Sequence, residues 1–494
     1  MVRPRFGSGN GYSSVFAAIR ESERVIIVQI RGPVFGFLWE IGSVPTESKP
    51  SFQFARSAYA AGHLYDSRIH PRFNLNRKSI NVMIGLFLAT IGLSAVLTLG
   101  ARLAGYRAGL LDAPDEGRKQ HAVPVPALGG IAIFAAFAVS IVLKYTFDVE
   151  FAASLSESTM ALLATAAGVW ILGIVDDIWP VRAKAKLVVQ IIAAVTYVVT
   201  VQPIDVLYIA DGFELSSEIL VGTFCVFWLV ACCNAVNLLD GMDGMASLQG
   251  IIGFGTLAII ATLHGDSANV AVCLLLVGSV LGFAIFNAPP ASIFMGDAGS
   301  MTIGYLLGAF ILSVCHMADG RYGLAIPLAL IIVPAFDTTM AIIRRAQRGE
   351  GIMAPDREHF HHCLFDAGHS VWKVLGVFAV LYGLCAAAAV AGVWASSGFI
   401  ASLACGVVLA TCVATRTFGH NELKFLAERL TQKIASMDVT GIFASVRHES
   451  IADTSGLGNA TMEIDELVVI PIPDAVANSA DQTEEKDGEI RRAA

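Results

Sequence analysis

The sequence predicts an all-α polytopic membrane protein of about eleven transmembrane helices. Apolar runs of roughly 20 residues recur between Ser79 and Thr415, each long enough to cross a hydrocarbon core of about 30 Å. Charged residues make up only 15% of the 494-residue chain and hydrophobic residues 55%, whereas soluble globular chains carry about 25% charged residues. Mean hydropathy is +0.65. Much of the surface must therefore face something other than water.

Spans are expected at about 79–103, 128–147, 157–175, 186–202, 218–235, 248–263, 268–286, 299–317, 322–343, 371–393 and 397–415. Their orientation follows from lysine and arginine in short loops. The loops after the first, third and ninth spans hold Arg107, Arg118, Lys119, Arg182, Lys184, Arg344, Arg345, Arg348 and Arg357. The opposite loops hold Arg321, with Lys144 at a span end. The first set is cytoplasmic on this rule, which places the N-terminus outside and the C-terminus in the cytoplasm. Arg77 and Lys78 oppose the assignment locally.

Residues 1–78 form an atypical N-terminal extension, mixing Gly, Ser, Pro and Arg around one apolar stretch, Val25 to Ile30. A poorly ordered segment and a small domain both fit this composition, and Met83 offers an alternative start. No basic-then-apolar signal peptide is evident. Residues 416–494 form a cytoplasmic C-terminal tail, with an amphipathic helix expected over Leu423 to Ile434 and a short strand over Leu467 to Ile472. The end beyond Ala475 reads as disordered. The net charge of −8 arises largely from acids in the tails and points to no nucleic-acid partner. The nine cysteines lie mostly inside apolar segments, with no Cys-x-x-Cys pair, so neither zinc nor a disulfide framework is expected.

Polar residues are informative by position. Four clusters fall at span ends that the predicted topology puts on one face. They are Asp176-Asp177, the run from Asn234 through Asn237, Asp240 and Asp243, the Phe294-Met295-Gly296-Asp297-x-Gly299-Ser300 segment, and Pro355-Asp356-Arg357-Glu358-His359-Phe360-His361-His362. Taken singly, each has a bland explanation: a solvated loop, a turn or cap residue, a packed histidine. Convergence of all four on one face argues for a site. Neighbouring carboxylates repel, which favours a shared cation or a raised pKa. Oxygen donors without thiolates suit Mg²⁺, with Mn²⁺ as the alternative, and Mg²⁺ usually binds one or two carboxylates plus substrate phosphates. Lys119, Lys186, Arg357 and the histidines supply counter-charge for a diphosphate. These are the parts for metal-assisted phosphoryl transfer. The rival class is a transporter or channel, which also carries acids and histidines in its spans. Transporters usually place their sites near mid-membrane and often show internal repeats. Here the clusters lie at one face and the two halves show no repeat.

From about Gly105 to His369 the chain resembles the polyprenyl-phosphate N-acetylhexosamine-1-phosphate transferases, the WecA, TagO and MraY group of glycosyltransferase family 4. Four motifs match in order: Asp176-Asp177 with Lys186 and Gln190 downstream, NAVNLLDGMDGMA, SIFMGDAGSM and PDREHFHH. The entry segment Arg118-Lys119-Gln120-His121, followed by Pro124 and Gly129-Gly130, also fits. The resemblance implies roles. Asp297 is the expected magnesium ligand, joined by Asp177. Asp176 and Asp177 are expected beside the metal, deprotonating or orienting the lipid phosphate. Asn237, Asp240 and Asp243 match the motif for nucleotide-sugar binding, Lys119 and Lys186 match basic positions near the phosphates, and Arg357 matches a basic residue just upstream of the histidines. His359, His361 and His362 are expected to contact the diphosphate or sugar, His361 and His362 as catalytic residues.

The MraY branch carries three consecutive histidines where this chain has His359-Phe360-His361-His362. The chain resembles the WecA-like branch in this, and in the asparagine preceding LLDGMDG. The resemblance implies a UDP-amino sugar, usually UDP-N-acetylglucosamine, and undecaprenyl phosphate as substrates. It implies release of UMP, a bacterial plasma-membrane location with a cytoplasmic active site, contact with membrane lipid, and a homodimer as a candidate assembly. The long tails depart from the compact family pattern.

Overall fold

A computed structural model describes residues 15–21, 24–31, 38–45, 77–112, 124–155, 157–210, 213–316, 322–351, 358–415 and 418–436. The expected site residues Lys119 and Arg357 and the expected strand at 467–472 lie outside the described residues. Near the N-terminus, β1 (Val15–Glu21), β2 (Arg24–Arg31) and β3 (Leu38–Pro45) form an antiparallel meander.

The membrane region is helical. Nine helices are long and apolar enough to cross a bilayer among the described residues. They are α1 (Arg77–Ala108), α2 (Gly129–Phe147), α4 (Glu157–Ile178), α5 (Ala183–Val201), α6 (Glu218–Leu239), α7 (Met245–Leu263), α8 (Ser267–Asn287), α9 (Gly296–Val314) and α13 (Val371–Trp394). The short α3 (Val149–Ser154) joins α2 to α4. α14 (Gly398–Ala414) is apolar but only 17 residues long. The outer helices carry exposed large side chains such as Val96, Val142, Val199, Phe227 and Leu384, the exterior that a lipid solvent requires. α15 (His420–Ser436) covers the amphipathic segment expected after the last span.

The ninth expected span, 322–343, is not one helix. It divides into a two-residue strand, β8 (Tyr322–Gly323), a short α10 (Ala325–Ala329) and α11 (Ile332–Gln347). Pro334 falls in the first turn of α11, where a missing N–H costs little, but it cannot continue a helix from α10. The carbonyl of Leu330 at the break accepts from Gln249 Nε2 (3.3 Å) and from the Tyr382 hydroxyl (2.8 Å). Buried protein partners thus satisfy the irregular backbone at the break. The strands are a second difference from an all-α expectation. β6 (Leu207–Ala210), β7 (Phe213–Leu215) and β8 pair at one end of the bundle, and β4 (Leu111–Asp112) pairs with β5 (Val125–Pro126). Such pairing satisfies loop backbone groups where helices end.

α9 is the central helix. In its apolar window 89% of residues are buried, against 17% for α1. Its N-terminal turn is wedged between α2 and α4 at two glycines. A methyl group on Gly130 would run into the Gly299 backbone, and one on Gly173 into the Ala298 backbone. Backbone hydrogen bonds lock the approach: the amides of Gly129 and Gly130 donate to the carbonyls of Phe294 (2.9 Å) and Met295 (2.7 Å). Asp297 is fixed by this wedge rather than by a mobile loop.

Gly173→Ala is therefore expected to lower the thermal midpoint of detergent-solubilised protein, at a cost of about 1–3 kcal/mol. Gly168→Ala on the same helix, where an added methyl meets nothing within 4 Å, leaves the midpoint unchanged or slightly raised. Differential scanning fluorimetry of the two variants checks the contrast.

Candidate active site

The site lies at one end of the bundle, where α4 and α6 finish and α5 and α9 begin. Asp176 and Asp177 close α4, Lys186 lies in the first turn of α5, Asn237 in the last turn of α6, and Asp297 in the first turn of α9. Lys186 Nζ ion-pairs with Asp176 and donates to Asp297 Oδ2 at 2.6 Å. The Asn237 amide donates to Asp297 Oδ1 and to the Ser300 hydroxyl, both at 3.0 Å. Asp176 also accepts from the Val181 N–H at 2.7 Å, which draws the turn after α4 back onto its own carboxylate.

Asp177 is bound differently from its neighbour. Its two oxygens accept from the N–H groups of Asp297 (2.7 Å) and Ala298 (3.0 Å). It caps the N-terminus of α9 from another helix, satisfying donors the helix leaves free and meeting its positive dipole end. Gly296, at φ +74°, brings the chain against this carboxylate, and a side chain there would meet Asp177 Oδ2 at 2.7 Å. Each oxygen accepts one N–H and keeps a further lone pair.

Asp240 ends α6, and Gly241 leads into a turn that starts α7. Burial pushes the Asp240 carboxyl well above the usual carboxylate range, and the charges of Asp297, Asp177 and Asp243 push it further. Asp243 accepts from the Ala291 N–H at 2.9 Å, tying this turn to the segment before α9. Asn287 completes the tie: its Oδ1 accepts from the Gly244 N–H (3.1 Å) and the Ser247 hydroxyl (2.8 Å), and its amide donates to the Ile293 carbonyl (3.1 Å). Among the described residues, Lys186 is the only cationic side chain in ion-pair contact with Asp176, Asp177, Asp240, Asp243 or Asp297.

The histidines reach the same end on α12 (Phe360–Asp366). His361 is buried, and neither ring nitrogen has a hydrogen-bond partner. Its ring packs on Gly241, where an added methyl would meet Nε2 at 2.8 Å. Burial pushes its pKa down to about 3, with the neighbouring His362 and His359 adding to the effect. His362 lies beside it, ring centroids 4.2 Å apart.

The sequence reading passed over several residues that build this end. Asp337 on α11 is buried and holds His359 and the start of α12. Arg344 is buried rather than a loop charge and pairs with Glu422 at 2.7 Å. The one sequence sign of Asp337 is an acid inside an apolar run, which defaults to a functional hypothesis. Asn287 gave no such sign, whereas Ser300 lies within the same sequence cluster as Asp297.

The donor set suits a hard divalent cation: carboxylates crowd together without thiolates, and among the described residues one lysine pairs with two of the five acids. Among the described residues no group of three or more His, Cys, Asp or Glu side chains is arranged to hold a metal ion alone. A magnesium ion would therefore need waters and substrate phosphates to complete its shell.

Comparison with known proteins follows the same lines. The model of glycosyl transferase family 4 matches residues 159–315. A Bacillus subtilis protein described as "Probable undecaprenyl-phosphate N-acetylglucosaminyl 1-phosphate transferase" is 32% identical over 300 residues, 60% of this chain and 80% of that one. The decaprenyl-phosphate N-acetylglucosaminephosphotransferase of Mycolicibacterium smegmatis is 29% identical over 359 residues, covering 66% of this chain and 87% of its own. The phospho-N-acetylmuramoyl-pentapeptide-transferase of Lactobacillus helveticus is 33% identical over 279 residues, covering 53% and 83%.

The state of His361 is testable. Its folded pKa is depressed, so between about pH 6.5 and about pH 3 the unfolded chain takes up a proton that the folded chain refuses. Stability should fall as pH drops through that window. His361→Asn should flatten the slope of thermal midpoint against pH below 6.5, and an unchanged slope would contradict the buried neutral ring.

Proposed function

The chain belongs to glycosyl transferase family 4, in its polyprenyl-phosphate N-acetylhexosamine-1-phosphate transferase group, and from that premise we propose that it moves N-acetylglucosamine-1-phosphate from UDP-N-acetylglucosamine onto undecaprenyl phosphate and releases UMP. The observation that carries the proposal is the junction of Lys186, Asn237 and Asp297, three residues from three separate motifs in hydrogen-bond contact beside Asp176 and Asp177. Relatives that bear the N-acetylglucosamine name and those that bear the muramoyl-pentapeptide name are similar in identity, 29–32% against 28–33%, but the former cover more of this chain, 60–66% against 53–55%, and particular residues add to the branch assignment. His359-Phe360-His361-His362, in place of three consecutive histidines, favours the N-acetylglucosamine branch.

The chain crosses the plasma membrane eleven times in this reading, with α10 and α11 together making one crossing and α14 another. The site end then faces the cytoplasm, where UDP-sugars are available. The N-terminus lies outside and the C-terminus inside. The positive-inside rule supports this, because Arg182, Lys184, Arg344, Arg345 and Arg348 all lie toward the site end.

Asp297 and Asp177 would hold Mg²⁺, with Mn²⁺ as a substitute, and the bound ion would neutralise charge on the diphosphate. Lys186 holds Asp297 and Asp176 in place and offers positive charge to an incoming phosphate. Asn237 orients the other oxygen of Asp297. Asp176 keeps the acceptor phosphate deprotonated. An oxygen of that phosphate attacks the phosphorus bearing the sugar, the bond from that phosphorus to the UMP oxygen breaks, and UMP leaves with the electron pair. Direct in-line transfer is preferred over an aspartyl-phosphate intermediate because positioning two phosphates suffices. His361, neutral and buried on Gly241, can donate or accept a hydrogen bond at the sugar or diphosphate without carrying charge into the site. Lys119 and Arg357 supply further positive charge at the phosphates. Asp240 and Asp243 shape the nucleotide-sugar side.

Purified protein given UDP-N-acetylglucosamine, undecaprenyl phosphate and Mg²⁺ is expected to release UMP, and EDTA to stop it. Asp297→Asn should reduce turnover by at least about 10²-fold, the order seen when a charge-stabilising group is removed. Turnover of Asp297→Asn near the wild-type rate would sink the metal assignment. Absence of UMP release with every UDP-amino sugar would sink the transferase reading.

A further inference from the structure

Asp337 lies on α11 and is only 1% exposed. Burying a carboxylate is costly unless hydrogen bonds compensate. The structure supplies two. Asp337 Oδ1 accepts from the Phe360 N–H at 3.0 Å, and Oδ2 lies 3.1 Å from His359 Nδ1. His359 is itself buried and sits at the N-cap of α12 with an extended backbone. One carboxylate therefore fixes both the start of the histidine helix and the ring that precedes it.

The geometry points to Asp337 as a positioning residue that sets the tautomer and bearing of His359. A carboxylate accepts hydrogen bonds and does not donate them, so the proton of the pair sits on His359 Nδ1. Nε2 is then the one ring nitrogen left for a ligand. The His359 ring stacks parallel to His361, 5° between planes and 6.1 Å between centroids, so its bearing is coupled to the neighbouring histidine. The same logic holds wherever a buried carboxylate orients an imidazole for work at its other nitrogen. That the free nitrogen meets the diphosphate or sugar rests on the transferase reading above; the tautomer itself does not.

Asp337→Asn is the informative variant because it keeps the shape. Its oxygen can still accept from the Phe360 N–H, which turns the amide NH₂ toward His359 Nδ1. Nδ1 must then accept, and the ring proton moves to Nε2. ¹⁵N-histidine NMR of the full-length protein, with the His359 signal assigned by its loss in His359→Gln, should show a protonated Nδ1 in the wild type and a protonated Nε2 in Asp337→Asn. Rates of UMP release should fall in parallel. Asp337→Asn should lose about tenfold to a hundredfold in kcat/KM, the range for removing a carboxylate that orients a histidine ligand. The same change in a His359→Gln background should cost less than about threefold, because the group it orients is gone. The wild-type ring protonated on Nε2, or losses that multiply fully in the double variant, would overturn the assignment. A wild-type protein that releases no UMP would defeat the transferase reading alone, and the nitrogen spectrum would still decide the role of Asp337.

Discussion

The crowding of carboxyl groups is the constraint around which this end of the bundle is built. Asp176, Asp177, Asp240, Asp243 and Asp297 converge, and Lys186 bridges two of them. Two like charges about 4 Å apart repel by about 4 kcal/mol at an effective dielectric of about 20. No fold retains such a cluster without compensation. Part of it is internal: the α9 dipole and its first amides bind Asp177, the Asn237 amide binds Asp297, and the Ala291 amide binds Asp243. The remainder is relieved by protonation, which burial favours at Asp240, and by the bound cation proposed above.

The rest of the architecture holds that charge still. α9 is enclosed almost throughout, and its first turn is pinned by glycine contacts and backbone hydrogen bonds to α2 and α4. The break between α10 and α11 carries Asp337 into protein rather than into lipid, and places Arg344 where Glu422 can pair with it. Phe418 packs edge-on against Phe336 and Phe360, so the segment after the last span braces both α11 and the histidine helix. Stability and function share these contacts, and a change in the brace should reach the histidines.

The helices and the four motifs were legible in the sequence because each is a local signal: a run of some 20 apolar residues, or acids and histidines clustered at a span end. What was not legible is long-range or broken. Asp177 caps a helix that begins 120 residues later, and no spacing rule reports that. The 322–343 segment is apolar enough to pass for one span, although Pro327 and Pro334 marked it as a place where a helix would divide. Arg344 looked like a loop charge because basic residues at span ends usually are, and its partner Glu422 lies 78 residues away in the tail. Asp337 did leave a sign, a lone acid amid apolar residues, but its partner His359 appears only when α11 and α12 are packed together.

Cation binding in the absence of substrate tests the central claim most directly. Mn²⁺ added to the purified full-length protein should give one bound ion per chain by electron paramagnetic resonance. Mg²⁺ should displace it, and Asp297→Asn should weaken it at least about tenfold while Asp148→Asn, at the opposite end of the bundle, should not. Binding that is indifferent to Asp297, or no specific binding at all even with UMP present, would mean that the crowded carboxylates are neutralised in some other way.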